Sequence, residues 1–288
     1  MAKTILITGT STGFGRKTAE TLGKAGHQVF ATMRDAEGKN AQHAAALRAE
    51  GIHVLSLDVT DTASVDAAVA AVVQQAGRID VLVNNAGIAA AGVSEAFTPE
   101  QATALFDVNV IGLHRTARAV LPAMRQAGEG LIINIGSILG RVTFPFFGLY
   151  GASKFAVEGM TDSLRYELSQ LGIDVALVQP SAYPTNMYAS VTHPKDAART
   201  AEYGDVGGIP GAMFDQFNTM LSAEDAPDPQ DIADAVAGLV AAPAGSRPAR
   251  TVVGAPYGAD ALNEATAPVQ GGVVDALGLG HLASLKTS

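Results

Sequence analysis

Short runs of apolar and β-branched residues alternate along this chain with longer stretches whose apolar positions recur every three or four residues. The short runs, at residues 4–8, 28–32, 52–57, 79–83, 131–135, 174–178 and 251–253, are largely apolar rather than alternating with polar residues. That pattern predicts strands buried on both faces. Helical stretches fall between them at 15–25, 40–50, 64–76, 99–124 and 230–241. Regular strand–helix alternation predicts an α/β chain: one domain, residues 1–288, with a doubly wound, seven-stranded parallel sheet and helices on both faces.

Two intervals break the rhythm. Residues 182–228 are rich in Pro, Gly, Met and aromatics and show no strand pattern. A loop this long after the sixth strand is expected to be a substrate-binding lid at the carboxyl end of the sheet. Residues 255–288 form a C-terminal extension of weak periodicity, read as a packed segment, an oligomer contact or a partly disordered tail.

Composition narrows the functions available. With 288 residues and 48% hydrophobic content, the chain buries a substantial core. Its net charge of −9, with scattered basic residues, disfavours nucleic acid and anionic membrane surfaces as partners. No apolar stretch is long enough to span a bilayer. Lys3 leads straight into the first strand, so no signal peptide is expected. Cysteine is absent, which removes disulfides, thiolate metal sites and cysteine nucleophiles and fits a cytoplasmic location. His27, His43, His53, His114, His193 and His281 show no metal-ligand spacing, so no metal site is expected.

The first strand runs into Thr8-Gly9-Thr10-Ser11-Thr12-Gly13-Phe14-Gly15 and then a helix. A strand–glycine turn–helix unit suits a dinucleotide pyrophosphate, which needs close backbone approach and a helix N-terminus; a side chain at Gly13 or Gly15 is expected to obstruct it. Gly9, Ser11, Thr12, Gly13, Phe14 and Gly15 are therefore cofactor-binding candidates. The second strand ends in Met33-Arg34, where an NAD-preferring site usually carries an acid. Arg34 can pair with a 2′-phosphate, with Ser11 beside it, which favours NADP(H); the plain alternative is a solvated cation partly neutralised by Asp35. Asp58-Val59 after the third strand, and Asn85-Ala86-Gly87 after the fourth, fall where adenine and ribose would lie.

Of six tyrosines only Tyr150 has a lysine four residues later, Lys154, on the same face of a helix. A free phenol titrates near 10. An ammonium at ~4 Å supplies about 4 kcal/mol at an effective dielectric of about 20, enough to bring it towards ~7 as a general acid/base. Ser137, ending the fifth strand, is placed to donate to the same substrate oxygen.

With these residues in this order, the chain resembles the short-chain dehydrogenase/reductase family through about residue 254. Thr8–Gly15 is similar to its glycine motif, Asn84–Gly87 to its Asn-Asn-Ala-Gly motif, and Ser137, Tyr150 and Lys154 to its catalytic set. The resemblance implies a Rossmann fold, hydride transfer from nicotinamide, Tyr150 as acid/base and Ser137 as carbonyl orienter. It further implies that Lys154 binds the nicotinamide ribose and lowers the tyrosine pKa, that Asn109 holds a relay water, that Pro180 and Thr185 border the nicotinamide, and that the protein forms homo-dimers or tetramers. Residues 30–35 and 150–156 look closest to the NADPH-linked carbonyl reductase branch, which includes enzymes acting on steroids and retinoids. One departure stands out: Ser181 replaces the glycine that usually follows Pro180, a cost if that position needs positive φ.

Two aromatic-rich segments point to a bulky apolar ketone or secondary alcohol. The first supplies Leu139, Phe144 and Phe147; the second supplies Tyr183, Met187, Tyr188, Phe214 and Phe217. A non-catalytic NADP(H) sensor is the competing reading, although it has no need of Ser137, Tyr150 and Lys154 together. Nucleotide-sugar isomerase or dehydratase chemistry calls for a tighter glycine spacing and a larger C-terminal domain.

Overall fold

A computed structural model describes residues 1–287, apart from the side chains of residues 188 and 189, so Tyr188 as a pocket aromatic lies outside the described residues. Seven strands, β1 (Thr4–Thr8), β2 (Gln28–Met33), β3 (His53–Ser56), β4 (Val81–Asn84), β5 (Gly130–Ile135), β6 (Ile173–Pro180) and β7 (Arg250–Val253), form one parallel sheet in the order β3-β2-β1-β4-β5-β6-β7. The chain runs outward from β1 to β3, then crosses back to β4. The reversal leaves a crevice at the carboxyl ends of β1 and β4, where open α/β sheets bind ligands.

The apolar strands are buried on both faces for a visible reason. Ile5 and Ile7 of β1 pack with Leu22 of α1 (Gly13–Lys24), Leu47 of α2 (Ala41–Ala49) and Val236 of α10 (Gln230–Ala241). Leu6, between them, faces the other layer with Val72 of α3 (Thr62–Ala76) and Val120 of α5 (Gly112–Ala127). Tyr150 and Lys154 lie on α6 (Gly148–Ser169), whose Leu168 packs in that second layer.

Two expectations need correction. The stretch expected as one helix over 99–124 is α4 (Pro99–Phe106), a π-helical turn at Asp107–Ile111 and then α5, so the helix is re-aimed around Asn109. The lid over 182–228 is mostly helical: α7 (Asn186–Ala189), α8 (Ala197–Glu202) and α9 (Asp205–Leu221). Glycines and Pro210 within α9 mask its helical pattern, and packing of Phe214 and Phe217 on Phe147 overrides their low propensity. The C-terminal extension folds as α11 (Ala259–Ala276) followed by a short 3₁₀ turn at Gly280–Ala283. Among the described residues no helix is long and apolar enough to cross a membrane, and no His, Asp and Glu cluster could hold a metal ion.

Candidate active site

The glycine turn is held to the end of β4 by hydrogen bonds. Asn85 Nδ2 donates to the carbonyls of Thr8 and Gly9, both at 2.9 Å, while Thr8 Oγ1 accepts from the N–H groups of Asn85 and Ala86. Asn85 lines the cleft, but its amide is committed to this staple. The staple also explains Gly15 differently from the sequence argument. A Cβ there would lie 2.4 Å from both Asn85 Nδ2 and Gly9 O, so Gly15 is required by helix packing rather than by open cleft. Gly13 has φ +58° and only the Thr185 side chain near it, at 3.7 Å, which leaves the rim of the turn uncrowded. Ser11 and Thr12 are half-buried on the same turn, and Thr12 leads into α1.

At the ribose end, Arg34 is exposed and joins no ion pair among the described residues. Asp35 does not neutralise it directly: at φ 47° its carboxylate turns back to accept from Lys39 N at 2.7 Å. Asp58 accepts from Thr60 N and Oγ1 at 2.9 and 2.7 Å. Partial burial works to raise its pKa, but the Thr60 donors and the charges of Arg34 and Arg115 outweigh it and hold Asp58 below the ordinary range. Val59 is buried against Gly112, and its carbonyl accepts from Arg115, so only its backbone can face a ligand.

Ser137, Tyr150 and Lys154 meet as expected. All three are buried, and the Tyr150 phenol is hydrogen-bonded to Ser137, whose Oγ also accepts from Leu139 N at 3.1 Å. Lys154 Nζ donates to Ile135 O at 3.0 Å and lies 5.7 Å from the centre of the Tyr150 ring. The expected drop in tyrosine pKa is not found. Burial pushes Tyr150 up to about 12 against a smaller opposing effect of Ser137, and burial brings Lys154 down to about 8. Desolvation dominates because both groups lie in a mostly apolar enclosure.

Asn109 sits in the π-helical turn. Its amide bonds the N–H and carbonyl of Ile88, both at 2.9 Å, and donates to Ser153 Oγ, which in turn donates to the Tyr150 carbonyl. Asn109 thus braces the catalytic helix against the strand β4 exit. Beneath it runs a buried polar chain, Thr116–Asn84–Asn134–Thr161, that sequence patterning did not bring out.

One cleft includes Phe14, Asn85 and Gly87 of the nucleotide side, Ser137, Tyr150 and Lys154, and the predicted Leu139, Phe144, Phe147, Tyr183, Met187 and Phe217. Phe214 is not in its lining; it backs the wall through Phe147 and His193 at ring distances of 6.0 and 5.5 Å. Tyr183 contributes little surface, being 1% exposed. It stands edge-on to Phe14 and donates to Asp231 at 3.3 Å. Pro180, Ser181 and Thr185 border the same cleft. Ser181 is not in the left-handed region; the adjustment for its side chain falls on Gly254, whose Cβ would lie 2.2 Å from Ser181 Oγ. Tyr257, from the C-terminal extension, also lines the cleft and was missed, since nothing local marks it.

A doubly wound sheet with a serine, tyrosine and lysine converging at its switch-point crevice defines a nucleotide-linked oxidoreductase site. Residues 3–196 match the short chain dehydrogenase family, and the chain belongs to that family. It is similar to 3-ketodihydrosphingosine reductase of Bacteroides thetaiotaomicron, 39% identical over 201 residues that cover 70% of this chain and 71% of the relative. Among solved structures it resembles actinorhodin polyketide ketoreductase with NADPH, at 31% identity and a TM-score of 0.73 over 90% of this chain and 97% of the other. It also resembles 3-ketoacyl-(acyl-carrier-protein) reductase from Brucella melitensis with NADH, at 27% identity and a TM-score of 0.72 over 87% and 96%. Structural neighbours thus carry either nicotinamide cofactor.

Proposed function

We propose that this chain is an NADP(H)-dependent reductase of bulky hydrophobic ketones, with Tyr150 as proton donor. The observation that carries the reading is that one continuous cleft is lined by Phe14 of the glycine turn, Asn85 and Gly87 after β4, the Ser137–Tyr150 pair and an aromatic wall. Among the described residues Lys154 is the sole charged one lining it, which suits an apolar substrate and offers a carboxylate no dedicated partner. The three similar proteins above are each named for reducing a keto group.

A carbonyl oxygen placed at the Ser137–Tyr150 pair accepts from both hydroxyls. Ser137 is fixed by Leu139 N and orients the carbonyl; burial keeps Tyr150 in the neutral form that donates. When bound, the nicotinamide supplies the hydride. The phenol proton passes to the developing alkoxide, and the Lys154 ammonium stabilises the phenolate left behind. Arg34, exposed at the end of β2 where an acid would select NAD, supports the preference for NADP(H).

Loss of NADPH absorbance with octanophenone, 2-decalone and similar ketones tests the reading. Turnover supports it. Tight NADPH binding without turnover across such a panel would reject it in favour of a nucleotide sensor.

A further inference from the structure

We propose that residues 254–266 form a substrate-selecting wall, set in place by a closed ring of buried and half-buried side chains, with Tyr257 as specificity determinant and Asn263 as positioning residue. The proposal rests on the cleft being a ketone site, as above.

The ring joins four elements. Arg141, just past Ser137, donates from Nε to Asn263 Oδ1 of α11 at 2.8 Å. Asn263 Nδ2 donates to Gln179 Oε1 of β6 at 2.7 Å, and Gln179 Nε2 donates to Glu158 Oε1 of α6 at 2.6 Å. Glu158 closes the circuit, 3.5 Å from Arg141, and accepts from Arg250 Nε at 2.8 Å. Three of the four members are placed close in sequence to a residue that lines the cleft. Glu158 follows Lys154 by one helical turn, Gln179 precedes cleft residue Pro180, and Arg141 follows Leu139 by two residues. Glu158 is 4% exposed, and Arg250 also pairs with Asp162, so two arginines balance two carboxylates and the ring carries no uncompensated charge.

Asn263 ties the ring to the wall. It lies at the start of α11, whose first residue, Ala259, is fully buried with Leu139, Phe147 and Tyr150. Immediately before it, Tyr257 holds φ 47° between Gly254 at +85° and Gly258 at +86°. A tyrosine in that conformation is strained and persists where surroundings hold it. Its ring meets Phe144 edge-on at 5.5 Å and remains 55% exposed while lining the same cleft as Ser137 and Tyr150. On this proposal a long or polycyclic ketone rests on it and a small one leaves it free.

The test compares acetophenone with octanophenone in wild type, Tyr257→Ala, Asn263→Ala and Asn263→Asp, reading kcat and KM separately. The expected result is a change of at least tenfold in the ratio of kcat/KM for octanophenone over acetophenone in Tyr257→Ala, carried by KM. Asn263→Ala is expected to reproduce it, and Asn263→Asp, which keeps the Arg141 contact, to recover part. The double variant Tyr257→Ala/Asn263→Ala should match the single ones. Equal loss on both ketones, or an unchanged ratio, would overturn the wall. Dissociation constants for the same two ketones, measured by calorimetry with NADP⁺ present, give this ratio even if no hydride is transferred. Failure of the ketone-reductase reading (no turnover in wild type) is thereby distinguished from failure of the wall (no change in size dependence).

Discussion

Replacing Tyr150 by Phe separates chemistry from stability. The ring stays in place: it is 9% exposed, packs edge-on to Phe147 at 6.4 Å, and lies under the Lys154 ammonium. Only the hydroxyl leaves. Its hydrogen bond to Ser137 is a neutral pair worth about 1 kcal/mol, and Ser137 keeps the Leu139 N–H as a partner. The melting temperature should therefore move by no more than about 2–4 °C. The same hydroxyl is the sole proton donor assigned to the carbonyl oxygen. General acid catalysis contributes roughly 10²–10⁴-fold, about 3–5 kcal/mol of barrier. Expected, then, is a variant that folds, binds NADPH as wild type does by fluorescence titration, and loses at least a hundredfold in kcat on octanophenone. A variant within fivefold of wild-type turnover would refute Tyr150 as the acid. A loss of activity that tracks unfolding would refute the separation of the two effects.

Arg34→Ala should weaken NADPH about tenfold while leaving NADH unchanged, because a charge-assisted bond to a 2′-phosphate is worth about 1.5–3 kcal/mol; equal effects on both would remove Arg34 from cofactor selection. Lys154, whose folded pKa is lowered from 10.5 to about 8, loses its charge as pH rises through about 8. NADPH affinity should fall across that range, and Lys154→Met should abolish the change. Stability should instead gain between pH 8 and 10.5, since the unfolded chain there holds a proton that the folded chain has released. Gly254→Ala places a Cβ 2.2 Å from Ser181 Oγ and 2.8 Å from the Tyr183 hydroxyl at φ +85° and should cost about 2–4 kcal/mol in denaturant unfolding; Ser181→Gly in the same background should relieve the Ser181 contact but neither the Tyr183 contact nor the backbone share.

The strands were readable because burial on both faces leaves an apolar run with little ambiguity of period, as β1 shows with Ile5 and Ile7 on one side and Leu6 on the other. Tyr150 and Lys154 were readable because helical spacing alone brings them together. What eluded the sequence depends on partners far along the chain. Asn85 looked like a cofactor contact, yet its amide is taken by Thr8 and Gly9 in another strand's turn. The lid read as loop because α9 owes its helix to Phe147 rather than to its own glycine-rich residues. The Tyr150 pKa lies above rather than below its ordinary value because spacing reports proximity, whereas desolvation is set by every element that closes the site.

The buried polar residues answer a question that the apolar core leaves open. Apolar packing is non-directional, so α6 held by Val157 and Leu168 alone has little to prevent a small axial slide over the sheet. A slide of about 1.5 Å is one helical residue, enough to separate a phenol from its serine partner. Along one face of α6, however, Lys154 is hydrogen-bonded to Ile135 O, Glu158 to Gln179 and Arg250, and Thr161 to Asn134. Ser153 adds the tie through Asn109. These contacts lie on strands β5, β6 and β7 and on the π-helical turn, so they cannot all be kept if the helix shifts in either direction. The stripe that begins with Tyr150 therefore carries, in successive turns, the proposed proton donor, the cation beside it and the anchors that fix both against Ser137.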